Sequence, residues 1–228
     1  MHICLFDIDG TILLTGGAGM QAFRRTFAEE FGVDPISGDV SFSGRSDRAI
    51  AADLFAAHGI DPSLENWERF YTGYIVRVDE ELPRHEGTVL PGVEALLVEL
   101  AFRDDVLIGL LTGNVRETAR RKLVHHDLWH RFAFGGYGDQ HVDRNLIAAE
   151  ALAAAVEQAA AVGVQLEALG TVLVLGDTLN DIRCARSIGA KVVAVSTGQS
   201  SAEVLRQGKP DLLLETLEPT EQILQLLS

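Results

Sequence analysis

Basic charge is scarce in this chain of 228 residues: 19 Lys and Arg stand against 33 Asp and Glu, a formal net charge of −14. No basic stripe offsets that balance, which argues against nucleic acid or an anionic membrane surface as a partner. An anionic substrate must therefore be met by local positive charge or by a metal ion. Cysteine is scarcer still. Cys4 and Cys184 are the only two, both in apolar or helical surroundings, and no Cys spacing suggests a metal cluster. Buried free thiols in a reducing cytosol are the simplest reading. The seven histidines form no ligand cluster either. His125 and His126 sit together near a helix end, where solvated imidazoles suit the helix dipole. No apolar stretch is long enough to span a bilayer, and the N-terminus lacks a basic region or a long apolar core. A soluble, cytoplasmic protein is expected, either a monomer or a homodimer.

Apolar residues, in contrast, are plentiful. They make up 47% of the chain, and the mean hydropathy is +0.14, ample for a packed core. The length suits one large domain, or a core domain with a smaller insertion. The run from His2 to Phe6 is continuous, apolar and bounded by a Gly/Thr turn signal, and so predicts a buried strand. Helical spacing follows over 18–31, 46–58 and from 61 to about 81, with Phe23, Phe27, Phe70 and Tyr74 among the apolar positions. From Val93 onward, strands and helices alternate. Strands are expected at 106–112, 132–134, 171–175, 191–195 and 211–214. Helices are expected at 93–102, 115–125, 143–162, 179–188 and 218–227. Continuous apolar strands alternating with helices argue for a parallel sheet covered on both faces. The helical block of residues 15–88 interrupts this sheet after its first strand, which makes it an inserted cap on a core of residues 1–14 and 89–228.

In such a sheet, ligands bind beyond the carboxyl ends of the strands. Three strands here end in suitable polar residues. The first ends in Asp7-Ile8-Asp9-Gly10-Thr11, where alternation puts both carboxylates on one side and Gly10 permits a sharp turn. The second ends in Thr112-Gly113-Asn114. The third ends in Gly176-Asp177-Thr178-Leu179-Asn180-Asp181, with Asp181 in the first helical turn. Each has a plain structural reading, since Thr112, Asp177 or Thr178 can cap a helix. Four carboxylates at one sheet edge nevertheless repel one another without a cation, and oxygen ligands alone point to Mg²⁺ rather than zinc.

These motifs, DIDGT, LLTGN and LGDTLND, resemble motifs one, two and four of the haloacid dehalogenase-like superfamily of phosphohydrolases. The resemblance is strongest to its phosphoglycolate phosphatase-like branch, with an α-helical cap inserted after motif one. It implies an α/β fold: a Rossmann-like parallel sheet core with helices on both faces, plus a small α-helical cap domain. It also implies a Mg²⁺-dependent phosphatase that acts on a small phosphorylated metabolite through an aspartyl phosphate. In that scheme Asp7 is the nucleophile and Asp9 the general acid, while Thr112 bonds the phosphoryl oxygens. Gly113 and Asn114 contact substrate. Asp7, the Asp9 backbone carbonyl and Asp177 hold Mg²⁺, with Asp181 helping directly or through water.

The acid at Asp9 speaks against dehalogenation. A sugar-phosphate mutase of the β-phosphoglucomutase type is the alternative, and a non-catalytic binding protein on the same fold is a weaker one. The superfamily also has a further cation, usually Lys, between motifs two and four. Here no Lys-Pro occurs, and Arg144 at the start of the long helix is the preferred candidate. Lys122 is the second choice, because with Arg120 and Arg121 it reads as part of a solvated basic helix face. In the cap, Ser43-Gly44-Arg45-Ser46-Asp47 lies at a helix start. There Arg45 can reach an anion and Ser46 or Asp47 can cap the helix.

Overall fold

The computed structural model describes residues 1–218 and 220–227. Its first strand, β1 (His2–Phe6), lies in the middle of a six-stranded sheet. A two-residue strand β2 (Leu13–Leu14) follows, and then helices α1 (Ala18–Phe31), α2 (Asp47–Ala57) and α3 (Leu64–Glu81). The chain returns through β3 (Thr88–Val89), which pairs antiparallel with β2. From there α4 (Val93–Ala101), β4 (Val106–Leu111), α5 (Arg116–His125), β5 (Phe134–Gly136), α6 (Arg144–Ala161) and β6 (Val172–Gly176) alternate. They are completed by α7 (Leu179–Ser187), β7 (Lys191–Val195), α8 (Ala202–Gln207), β8 (Leu212–Leu214) and α9 (Thr220–Leu224). The strand order is β5-β4-β1-β6-β7-β8, and every pair is parallel. This is the expected Rossmann-like α/β sheet.

Period-2 alternation along β1 divides its side chains between two cores. Cys4 and Phe6 join Leu96, Leu97, Leu100, Ala119 and Leu123 of α4 and α5 on one face. Ile3 and Leu5 join Ile147, Ala151, Ile182 and Ala185 of α6 and α7 on the other. Small residues on α6 let it lie close to the sheet. At Gly136 a Cβ would run into the Ile147 carbonyl oxygen. A third cluster belongs to the inserted helices, where Phe23, Phe27, Phe55, Phe70 and Tyr74 pack with little exposure. Their rings meet at 4.5–6.2 Å between centroids, within the range of favourable aromatic pairing.

Several elements depart from the sequence expectation. β5 begins two residues later than 132, because Phe132 is drawn into the core edge-on to Phe6, 5.9 Å away, and closes a 3-10 turn over Trp129–Arg131. The final helix runs only over Thr220–Leu224 before tightening into a 3-10 turn, Gln225–Leu227; position 219 of that expectation lies outside the described residues. The β2–β3 pair and α8 have no sequence signal long enough to read. Among the described residues, no helix is long and apolar enough to cross a membrane.

Candidate active site

The carboxyl ends of β1, β4 and β6 lie side by side, so the three motifs converge by topology alone. Asp7 leaves β1 with its amide donating to the Leu175 carbonyl at 3.0 Å, and its side chain is buried. Gly10 then takes φ 87°, and a Cβ there would stand 2.5 Å from Asp177 Oδ2. Only glycine fits that approach. Asp177 follows β6 and is buried; among the described contacts its carboxylate takes one long hydrogen bond, 3.5 Å from Thr11 Oγ1. Thr178, not Asp177, caps α7. Its Oγ1 accepts from the Asp181 amide at 3.3 Å while Asp181 Oδ2 accepts from the Thr178 amide at 2.8 Å.

Asp7, Asp177 and Asp181 each place a carboxylate oxygen within 4.8 Å of the others. Burial raises the pKa of Asp7, as do Asp181 and Asp9, while Arg144 opposes the rise. Burial also raises that of Asp177, with Asp181 and Asp7 adding to the effect. Arg144, the first residue of α6, brings a guanidinium to this cluster. Its Nη2 bonds Asp181 Oδ1 and lies 3.4 Å from Asp7 Oδ1, while its Nε is buried without a partner. One guanidinium does not offset three carboxyl groups buried together, so burial and mutual repulsion keep the pKa of Asp7 and Asp177 raised. Hard oxygen donors in that state suit a small divalent cation, and glycine at 10 and 198 leaves no side chain to press on Asp177.

Asp9 is placed differently. Its carboxylate is half-buried and does not belong to that cluster. Lys122 Nζ donates to its Oδ1 at 2.9 Å and its Oδ2 at 2.7 Å, and Asn114 Nδ2 donates to Oδ2 at 2.7 Å. Asn114 also donates to Thr112 Oγ1 at 2.8 Å, and its Oδ1 accepts from Lys122 Nζ at 2.6 Å. Thr112 is fully buried at the end of β4.

Three sequence expectations need correction. Lys122 is not on a solvated face: it is 3% exposed, while Arg120 is exposed and Arg121 turns to Asp79 and Glu117. The inward stripe of α5 is Thr118, Ala119, Lys122 and Leu123, a helical i, i+4 pattern that could have located it. Lys122 and Arg144 are thus not alternatives, because both reach the site, each on a different carboxylate. Arg45 lines the same cavity as Asp7 and Asp9, with its guanidinium engaged by the protein. Its Nη1 pairs with Asp53 at 2.5 Å and its Nη2 bonds the Ala49 carbonyl at 3.4 Å. His126 is half-buried rather than solvated, with Nε2 unpartnered.

The segment around Arg45 instead docks the helical insertion on the core. The Asp47 amide donates to the Gly113 carbonyl at 2.7 Å, and Asn180 Nδ2 donates to the Gly44 carbonyl at 2.8 Å. At Gly113 a Cβ would collide with the Arg45 carbonyl. Ser46 caps α2, accepting from the Ala49 amide at 3.2 Å. That frees Asp47 to cap α5 from outside, with Oδ2 accepting from the Val115 amide at 2.9 Å. Burial pushes the pKa of Asp47 up to about 7 against the pull of Lys122. Sequence reasoning identifies Asp47 only as a local cap. A cavity of about 460 Å³ separates insertion and core, with Asp7, Asp9 and Lys122 on one side and Met20, Phe42 and Ile50 on the other.

Comparison with known proteins gives the family and the fold. Residues 4–195 match the family described as Haloacid dehalogenase-like hydrolase. A phosphoglycolate phosphatase of Synechococcus elongatus is 27% identical over 222 residues, 95% of this chain and 93% of the relative. Solved structures that share the fold include the following two. A hydrolase from Pseudomonas syringae has a TM-score of 0.72 at 20% identity over 100% of both chains. CbbY from Rhodobacter sphaeroides, in complex with phosphate, has a TM-score of 0.70 at 20% identity over 95% of both.

Proposed function

Because the chain belongs to the haloacid dehalogenase-like hydrolase family, we propose that it is a Mg²⁺-dependent phosphatase of small phosphorylated metabolites, working through a phosphorylated Asp7. The observation that carries this reading is the division of the carboxylates. Asp7, Asp177 and Asp181 cluster around Arg144, while Asp9 is held apart on Lys122 and Asn114.

Asp7 Oδ attacks phosphorus as the bond to the leaving oxygen breaks, and that oxygen takes a proton from the Asp9 carboxyl. Asp9 then accepts a proton from the water that attacks the Asp7 phosphoryl group, restoring the free carboxylate and releasing phosphate. Dividing hydrolysis in this way replaces one difficult step by two easier ones. The buried Thr112 hydroxyl and the Arg144 guanidinium meet the phosphoryl oxygens, and Gly113 and Asn114 line the same edge. Asp7, the Asp9 carbonyl and Asp177 would hold Mg²⁺, with Asp181 in support. When bound, the metal neutralises the phosphoryl and carboxylate charge that otherwise opposes attack.

Residues 15–88 act as a cap on the core of residues 1–14 and 89–228. The cap shields the cavity from water and presents apolar groups to the leaving part of the substrate. The phosphoglycolate phosphatase relative makes small phosphorylated acids the first substrates to try.

The test is a panel of phosphorylated metabolites assayed for phosphate release with Mg²⁺ and with chelator, alongside Asp7→Asn. Metal-dependent release by the wild type and none by Asp7→Asn is expected. Release from Asp7→Asn at near-normal rates would overturn the reading, and formation of an isomeric phosphate ester without free phosphate would favour a mutase.

A further inference from the structure

A nucleophile and an acid that serve one phosphoryl group must face it from opposite sides, one on phosphorus and one on the leaving oxygen. Asp7 is fixed from below by β1 and by Arg144. Asp9 comes from a loop two residues later and is half-buried, so its carboxylate would swing freely or turn toward the divalent site if nothing held it. Three contacts hold it. Lys122 Nζ spans both of its oxygens, at 2.9 and 2.7 Å, and Asn114 Nδ2 takes Oδ2 at 2.7 Å. The third proton of Lys122 goes to Asn114 Oδ1 at 2.6 Å, and the second Asn114 proton goes to Thr112 Oγ1 at 2.8 Å. Every ammonium and amide donor of the pair is used. A primary ammonium buried to 3% exposure, saturated by one carboxylate and one amide, is in a single orientation rather than a mobile one.

Lys122 arises from α5 and reaches Asp9 along the rim between core and insertion: a Cβ on Gly19 of α1 would stand 3.5 Å from its Nζ and 4.0 Å from Tyr74 Oη. It therefore holds Asp9 on the side of the cavity that faces the inserted helices, and apart from the Asp7, Asp177 and Asp181 cluster.

We propose that Lys122, together with Asn114, is the positioning residue that aims Asp9 at the leaving oxygen. This rests on the assignment of Asp9 as the acid and assigns Lys122 a duty separate from that of Arg144, which serves Asp7 and Asp181. During cleavage of the ester the Asp9 proton passes to the leaving oxygen as its bond to phosphorus breaks and the Asp7–phosphorus bond forms. Lys122 neither gives nor takes a proton in that step.

The test exploits leaving-group chemistry. Phenyl phosphate needs a proton on its departing oxygen, whereas 4-nitrophenyl phosphate departs as a stable anion. For the full-length protein with Mg²⁺, kcat/KM, which reports formation of the phosphorylated enzyme, is measured on both esters for the wild type and for Lys122→Met, Lys122→Gln, Lys122→Arg and Asp9→Asn. Lys122→Met is expected to lose kcat/KM on phenyl phosphate by on the order of 10²-fold, the lower range for a misdirected general acid, and far less on 4-nitrophenyl phosphate. Lys122→Arg is expected to recover part of the selective loss. Should the methionine variant fold poorly, Lys122→Gln, which keeps a donor but not the charge, gives the same comparison.

An equal loss on both esters, or no loss on either, overturns the inference, since a purely structural ammonium does not distinguish leaving groups. Asp9→Asn separates the positioning role of Lys122 from the acid role of Asp9. A selective loss there with none at Lys122 overturns the positioning role alone. Near-normal turnover in Asp9→Asn on both esters removes the acid itself.

Discussion

Asp47→Asn is a sharp test of how the insertion is bolted to the core. The Asp47 carboxylate is 6% exposed and accepts the Val115 amide at 2.9 Å, so two effects compete. Burial disfavours the charged form, while the N-terminus of α5 and Lys122 favour it. Burial wins, because the pKa stands at about 7 against an ordinary 3.8. The sign follows. A carboxyl whose pKa is raised on folding contributes stability that is full below pH 4 and is lost as pH climbs to about 7. A rise of roughly 3 in pKa, at about 1.4 kcal/mol for each, sets an upper bound near 4 kcal/mol.

Asparagine keeps an oxygen for the Val115 amide and does not titrate. Urea unfolding at pH 4, 6 and 8 in chelating buffer, read as wild type minus variant, isolates Asp47 from the other raised carboxyls, Asp7 and Asp177. The variant should match or trail the wild type slightly at pH 4 and exceed it by about 1–3 kcal/mol at pH 8, the bound less a weaker cap. A variant destabilised at pH 8 by about 1 kcal/mol, the usual loss of a helix cap, would refute the reasoning and show that α5 and Lys122 hold Asp47 ionised.

Other consequences are as direct. Arg144→Ala should abolish most phosphatase activity and destabilise the divalent-free protein by about 3–5 kcal/mol at pH 8, because Asp7 and Asp181 lose their buried partner; Arg144→Lys should recover part of both. Thermal melts and turnover at matched Mg²⁺ check it. Saturating Mg²⁺ at about 100-fold over its Kd should stabilise the wild type by about 2.7 kcal/mol in denaturant titrations, and Asp177→Asn should remove most of that gain. Phe70→Ala, at the centre of the inserted aromatic cluster, should cost about 3–5 kcal/mol in urea melts. Gly198→Ala, whose Cβ would overlap Asp177 Oδ2, should weaken the Mg²⁺-dependent stabilisation while leaving distant helices folded by circular dichroism.

The sheet is legible in the sequence because its strands are buried on both faces and therefore read as continuous apolar runs: β7 falls at Lys191–Val195 as expected, and β1 at His2–Phe6. Helix α1 is equally clear, since its aromatic residues recur at helical spacing and Gly32 stops it in the left-handed conformation. The strand-end carboxylates are visible for the same reason that motifs are visible: they are local in sequence. What cannot be read is long-range. Lys122 is 113 residues from Asp9 and is masked by two neighbouring arginines that do face solvent or surface partners. Arg45 looks free because its partner, Asp53, comes from two turns further along the same helical segment. Asp47 caps a helix 68 residues away, and no local pattern announces a cap supplied by another element.

The proposed mechanism depends above all on a covalent bond from phosphorus to Asp7. Rapid acid quenching of wild-type protein during turnover of a ³²P-labelled phosphate ester in Mg²⁺, followed by peptide mapping, measures it directly. Label on the peptide that carries Asp7, at Asp7 itself, is expected, and none in Asp7→Asn. Turnover without label at Asp7, or label on another residue, would contradict it.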